Sequence, residues 1–359
     1  MNLILTVTED KMKRWLISEE GNFYKACLHL HTDISDGAYS PEEVKRKYQE
    51  KGYSIIAFTD HDVFITHNDF SDDKFLAINS HEIEVSENNV NLTRYQKTYH
   101  LNFYAKDKNA TMTPVFSESR VHIGNSSKYV TDEMRKTDVY AYYSPRSINE
   151  VIRIANENGF FVTYNHPVWS LQNYPDYIDL EGLWGIEVWN TGCVGEGMPD
   201  TTVPFDDFLK AGKDVFPICS DDSHGDEDCF GGWTMVKAVS LDYDDVIRAL
   251  LAGNFYSSTG PEIYELSMED KVLTVKTDDV KNIRVITEWR APGSKQHAPE
   301  RVGDEFVTKI PMKLYRDHFR SKLIYGWQDA YFRLEINGHD GTRAYTPAYR
   351  FRDFPELFQ

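Results

Sequence analysis

Two histidines one residue apart, His29 and His31, sit in the run CLHLHTDISDG at 27–37, with Asp36 just before Gly37. On an extended strand alternate side chains share a face, so both imidazoles point one way and Leu28 and Leu30 the other. Such a pair can ligate a metal, satisfy backbone groups or face solvent, and alone it does not discriminate. The other ionisable residues do. Asp60, His61 and Asp62 end the run YSIIAFTDHD, SHEIE carries Glu82, and His100 opens a further strand. His166 ends FFVTYNHP, and SDDSH carries Asp222 and His224. Six successive strand ends thus present imidazole or carboxylate, although the strand bodies are apolar.

Imidazole and carboxylate are ligands of Zn²⁺, Mn²⁺ and Fe²⁺ alike. Six histidines (29, 31, 61, 100, 166 and 224) with Asp36, Glu82 and Asp222 exceed what one cation uses, so two or three divalent ions are implied. Asp222 is preferred over Asp221 because only it has the D-x-H spacing that puts both side chains on one face. Asp36 also suits an ordinary S-D-G turn, and Asp60 reads as a group that orients a ligand or caps a strand end.

The elements that must position these groups alternate from residue 25 to about 260. The run SPEEVKRKYQEKG reads as a helix with Ser40 as cap, Pro41 in its first turn and Gly52 at its end. Residues 144–159 and 242–254 read as two more helices. Strand and helix in turn predict a parallel sheet, open or closed into a barrel. Residues 105–143 show no period and read as either a lid over the mouth or a plain surface insertion. After FYSSTGP the texture changes to alternating segments such as KVLTVKT and NIRVITEW. This predicts a domain over 1–260, with a short extension at 1–24, then a small β-sandwich-like accessory domain over 261–359.

The whole chain narrows the classes further. Of its 359 residues 41% are hydrophobic and 27% charged, which describes a folded rather than a disordered protein. No run approaches the ~20 apolar residues of a membrane span, and the amino terminus makes a poor signal peptide. Four cysteines lie scattered without a C-x-x-C pair, which fits a reducing, cytoplasmic setting. A net charge of −18 argues against long nucleic acid as a partner, while a small anionic substrate stays compatible if bound cations reverse the field in one pocket. The oligomeric state is left open.

In order, over about 25–225, the pieces LHLHTDISDG, FTDHD, HEIE, YHLNFYA, NHP and CSDDSH resemble the PHP (polymerase and histidinol phosphatase) superfamily of metal-dependent phosphoesterases. The resemblance implies an α/β fold, a distorted (β/α)7 barrel, here followed by a small antiparallel β domain. It implies that His29, His31, Glu82 and Asp222 hold one metal, that Glu82 bridges to a second held by His100 and His166, and that Asp36, His61 and His224 hold a third. Ser80 departs from the family, which often has glycine two residues before the bridging glutamate.

The expected activity is hydrolysis of phosphomono- or phosphodiesters of small molecules, nucleotides among them, by a hydroxide shared between two metals. Glu82, His61, His224 and Asp222 are the expected catalytic residues, with His61 or His224 as the alternative general acid. Arg94, Arg120 and Trp169 are candidate substrate contacts, and Trp184 and Trp189 could stack a ring or simply pack. Two other functions fit the same metal centre: hydrolysis of carboxylic or carbamic esters or amides, and a non-catalytic, metal-stabilised binding module.

Overall fold

The computed structural model describes residues 13–88, 96–199, 201–290, 296–321 and 326–358. Strands β1 (Arg14–Trp15) and β2 (Asn22–Cys27) precede α1 (Pro41–Glu50), β3 (Tyr53–Phe58), β4 (Leu76–Ser86) and β5 (Thr98–Ala105). Next come α2 (Pro145–Glu157), β6 (Phe160–Tyr164), α3 (Tyr174–Tyr177), β7 (Gly185–Asn190), α4 (Thr191–Gly195), α5 (Val203–Lys210) and β8 (Phe216–Ser220). The chain continues with β9 (Trp233–Ala238), α6 (Tyr243–Leu251), β10 (Phe255–Ser258), β11 (Ile263–Glu269), β12 (Val272–Thr277) and β13 (Asn282–Thr287). Last are β14 (Glu300–Val302), β15 (Glu305–Pro311), α7 (Lys313–Ser321), β16 (Tyr331–Asn337), β17 (Arg343–Tyr345) and β18 (Tyr349–Arg350).

Local chemistry sets the helix starts. Ser40 accepts from the Glu43 amide while the Glu43 carboxylate returns to the Ser40 amide, a reciprocal cap with Pro41 in the first turn. Ser144 caps α2 through the Ser147 amide, and that helix buries Ile148, Val151, Ile152 and Ala155 on one face.

The main sheet is mixed. Strands β2, β3 and β4 run parallel, as do β6, β7 and β8, but β5 runs antiparallel to both β4 and β6. The expectation of a parallel sheet is corrected here. A parallel pair needs a crossover element, and the sequence between β4 and β5 is only residues 87–97. On its other side β2 pairs antiparallel with β9, and the sheet continues through β10 and β17 to β16 and β13. A second, five-stranded antiparallel sheet has the order β1, β11, β12, β15, β14. One core cluster joins Leu266, Leu273 and Val275 of this sheet to Val285, Leu334 and Ile336 of the larger one.

Two features bring the site together. The residues just past β2 and β8 pair, with a parallel bridge between Leu30 and Ser223, Asp222 N donating to His29 O (2.8 Å) and His31 N to Ser223 O (3.0 Å). Leu28 and Leu30 meanwhile pack outward, Leu28 in a cluster with Val246 and Ile247 of α6, Leu30 in one with Val44 and Tyr48 of α1. The imidazoles between them are left to face inward. Residues 106–144 dock through Phe116 and Met134 onto Ile34 and Val63. Gly124, at φ +53°, comes so near the loop 32–36 that an added Cβ would lie 2.0 Å from Ser35 O. Among the described residues no helix is long and apolar enough to cross a membrane.

Strands β16 and β18 are tied to α5 and the loop after it by charge. The buried Arg333 guanidinium donates to both Asp206 oxygens (Nε 2.8 Å, Nη2 2.7 Å), and Arg350 donates to Asp214 (2.7 Å). Removing one partner of a buried pair strands the other charge, so Arg333→Met is expected to cost roughly 3 kcal/mol. Urea denaturation checks this: the midpoint falls with unchanged slope.

Candidate metal centre

All nine proposed ligands fall in four overlapping groups whose ligating atoms lie within 4.8 Å of one another. The groups are His31, Asp36, His61 and His224; His29, Glu82 and His166; His29, His31 and Asp222; and His61, Glu82 and His100. Glu82 on β4 is the hub. Its carboxylate lies 3.3 Å from Nε2 of both His29 and His31, 3.4 Å from His61 Nδ1, 3.2 Å from His100 Nδ1 and 3.7 Å from His166 Nε2. Asp222 lies 3.2 Å from His29 Nε2, 3.0 Å from His31 Nε2 and 3.6 Å from His166 Nε2. Asp36 lies 3.5 Å from His224 Nε2 and 3.9 Å from His61 Nε2. The groups do not repeat the three sets implied by the resemblance: His31 also reaches the Asp36 group, and His61 also joins Glu82 and His100.

The chain geometry that achieves this is strained at two ligands. His166 (φ +25°) and Asp222 (φ +52°) sit at positive φ, and so does Asp62 (φ +62°) next to His61. Asp222 and His166 turn inward directly past β8 and β6, which places side chains from separate strands over one cleft.

Electrostatics decides what the site can hold. Glu82 and Asp222 are buried, and among the described residues neither they, Asp36 nor Glu187 forms an ion pair with a lysine or arginine. Burial works against ionising Glu82 and Asp222, yet surrounding imidazoles hold both carboxyls well below the usual carboxylate range. Burial likewise opposes charging His29 and His31, but the carboxylates outweigh it, putting His29 well above the ordinary histidine range and His31 at about 10. His61 goes the other way, down to about 3, through burial and then the positive field of His31. Its buried Nδ1 makes no hydrogen bond, a lone pair left over in a site rich in negative charge. Buried carboxylates matched only by imidazole, with an unused imidazole nitrogen, are a donor set that fits divalent cations.

A ring of supporting groups aims the ligands. Asp60 accepts from Thr32 N (2.8 Å), Thr32 Oγ1 (2.8 Å) and Ser35 Oγ (2.8 Å), which fixes the turn before Asp36. Asp221 accepts from the amides of Phe230, Gly231 and Gly232 and from Tyr48 and Thr191, so its carboxylate is consumed facing away from the ligands. Asn165 donates to Glu82 (2.8 Å) and Asn190 to Asp222 (3.0 Å). Glu187 on β7, absent from the ligands read in the sequence, lies 2.7 Å from His29 Nδ1 and also accepts from the His166 amide (3.1 Å). Its one sequence signal is a lone acid inside the apolar strand GIEVWN.

The substrate candidates part ways. Trp169 lines the cleft, with its indole N–H on Glu196 (2.8 Å). Arg120 is buried, donates to the carbonyls of Val115 and Val139, and faces Asp62 at 3.6 Å; it is not among the residues lining the cleft. Arg94 lies outside the described residues. Trp184 packs in the core against Phe161.

Two outcomes are expected. Glu187→Ala should weaken metal affinity by about 10–100-fold without unfolding the protein, read by competition with a fluorescent chelator. Protein with Mn²⁺ at about 100 times its Kd should be about 2.7 kcal/mol more stable than chelator-treated protein, read by calorimetry.

A comparison with curated proteins returns no match. Among solved structures the chain is similar to a two-domain protein from Bacteroides vulgatus containing a predicted PHP-like metal-dependent phosphoesterase (14% identity, 94% of this chain and 98% of that one, TM-score 0.44). It is also similar to an amidohydrolase from Chromobacterium violaceum with bound sulfate and no metal (17% identity, 56% and 89%, TM-score 0.36). A third is a lesion-specific endonuclease from Pyrococcus furiosus (13% identity, 64% and 56%, TM-score 0.40). Residues 28–155 match the PHP domain family, a stretch that includes His29, His31, Asp36, His61, Glu82 and His100.

Proposed function

We propose that the protein is a metal-dependent phosphoesterase that hydrolyses small phosphomono- or phosphodiesters at this centre, within a distorted (β/α)7 barrel. The PHP match supports the reaction class, and one observation of the structure carries the reading: nine imidazole and carboxylate ligands cluster together, and seven of them, all but His29 and His31, line a cleft of about 320 Å³. When bound, divalent cations would act there as Lewis acids toward phosphoryl oxygens and lower the pKa of water toward neutrality.

The chain's own groups supply the rest. Glu82, with one oxygen nearest His29 and His100 and the other nearest His31 and His61, is placed to hold two ions at once. His29 is aimed by Glu187, and Asp222 by Asn190, so neither ligand needs to reorient during turnover. Trp169 and Ile123 add apolar wall to the cleft. No side-chain nucleophile is needed. Cys193 lines the cleft, but burial pushes its thiol far up, which leaves it protonated and inert.

The test uses p-nitrophenyl phosphate, bis-p-nitrophenyl phosphate and p-nitrophenyl acetate with added Mn²⁺ or Zn²⁺. Cleavage of a phosphate ester, its loss with chelator, and a fall in kcat of roughly 10²–10³-fold in folded Glu82→Gln are expected. Cleavage of the acetate alone, or full phosphoesterase activity in Glu82→Gln, would overturn the reading.

A further inference from the structure

Asp36 differs from the other two carboxylate ligands in how it is held. Asn165 donates to Glu82 and Asn190 to Asp222. Among the described residues the Asp36 carboxylate meets only imidazoles, those of His224 at 3.5 Å, His31 at 3.7 Å and His61 at 3.9 Å. Its place is therefore set by its backbone, the turn 32–37, which closes on itself through Gly37 N donating to Thr32 O (2.8 Å). Asp60 grips that turn from inside through Thr32 and Ser35.

A segment far along the chain grips it from outside. Asn125 N donates to Ser35 O (2.7 Å) and Asn125 Nδ2 to Asp33 O (2.9 Å). The amide oxygen of Asn125 accepts from Lys128 Nζ (2.6 Å), which keeps Nδ2 turned toward the turn. Gly124 lies against the same peptide: a Cβ there would stand 2.3 Å from Ser35 C and 2.7 Å from Asp36 N, so only glycine lets the two backbones touch. The segment also covers the loop that carries His61. Arg120 faces Asp62 at 3.6 Å, and Phe116 and Met134 pack with Val63 as well as Ile34.

One of the four ligand groups is thereby singled out. Asp36 and His61 both ride on backbone that residues 116–134 cover, and Asp36 and His224 occur in no other group. Glu82, His29, His166 and Asp222 stand on or just past strands of the main sheet, where Asn165, Glu187 and Asn190 hold them instead.

We propose that residues 116–134 are a positioning element of the metal centre. Asn125 and Gly124 set Asp36 through its turn, and so govern affinity for the ion of the group His31, Asp36, His61 and His224 while leaving the ions around Glu82 and Asp222 unchanged. The coupling is reciprocal, so an ion in that group holds the segment against the turn. This rests on the metal-centre reading and on no particular substrate.

Mn²⁺ alone is the probe, titrated calorimetrically into the chelator-treated full chain, with bound metal counted by equilibrium dialysis. Asp36→Asn identifies the ion of this group as the one it weakens. Asn125→Ala is expected to weaken that same ion by about 10–100-fold and to leave the others within about twofold. Gly124→Ala should act more strongly in the same direction; where it fails to fold, Asn125→Ala decides. As a second readout, Mn²⁺ should slow tryptic cleavage at the exposed Lys128, Arg135 and Lys136 by about 10-fold in the unsubstituted chain but not in Asp36→Asn. Asn125→Ala that changes no ion or weakens all alike, Asp36→Asn that weakens none, or equal protection in Asp36→Asn would overturn the positioning role. A chain that binds no Mn²⁺ defeats the metal centre itself, and this inference with it.

Discussion

Buried negative charge without a basic partner is the constraint on which the rest of the structure depends. Glu82 and Asp222 are removed from water at the centre of the fold, and moving a carboxylate out of water costs several kcal/mol unless opposite charge is supplied. No lysine or arginine among the described residues supplies it. Among the described residues the groups that face these oxygens and can carry positive charge are imidazoles, beside the neutral amides of Asn165 and Asn190, and protonating all the imidazoles would crowd positive charge among rings stacked 4.4 Å apart at His31, His61 and His224. His61 shows the conflict directly, driven down while His31 beside it is driven up. Divalent ions, when bound, would match the carboxylates while leaving the imidazoles neutral as ligands.

That requirement explains where the backbone is strained and how it is held. His166 and Asp222 adopt positive φ at the ends of β6 and β8, a conformation that costs of order 1–3 kcal/mol for a residue other than glycine. It persists because neighbouring groups fix it from several sides. The Asp222 amide is bound by His29 O, its carboxylate by Asn190, and the residue before it is locked by five donors. The His166 amide is held by Glu187, the same acid that aims His29. One glutamate on β7 therefore sets two ligands from different strands, and an error there would spread to both.

What could be read from the sequence follows from the same physics. Polar residues at the tips of apolar strands stand out because water-free strand bodies leave them no other reason to be there, so His29, Glu82 and Asp222 were visible. Caps are local chemistry, so Ser40 and Ser144 marked α1 and α2. Glu187 was hidden because a single acid inside GIEVWN has no local partner, and its role appears only when β7 lies across from His29. The direction of β5 was also hidden: its residues are buried on both faces in the pattern of a parallel strand, and only the connection betrays the reversal. Arg120 looked like a loop cation free to meet substrate, but tertiary packing turned it onto two carbonyls and Asp62.

Elements far from the metal site bear on its shape. Met198, just after α4, lines a small hollow beside the cleft together with His166 and Trp169, and α5 follows a few residues later. Helix α5 is too short, at eight residues, to be stable by itself, and it is pinned by Phe205 and Phe208 in the core and by Asp206 to Arg333 of β16. Strand β16, which follows residue 260, thus reaches α5 through one buried ion pair. A charge pair is directional where an apolar contact can slide, so it fixes the register of α5 against β16. Helix α5 is thereby anchored by a strand well over one hundred residues further along the chain.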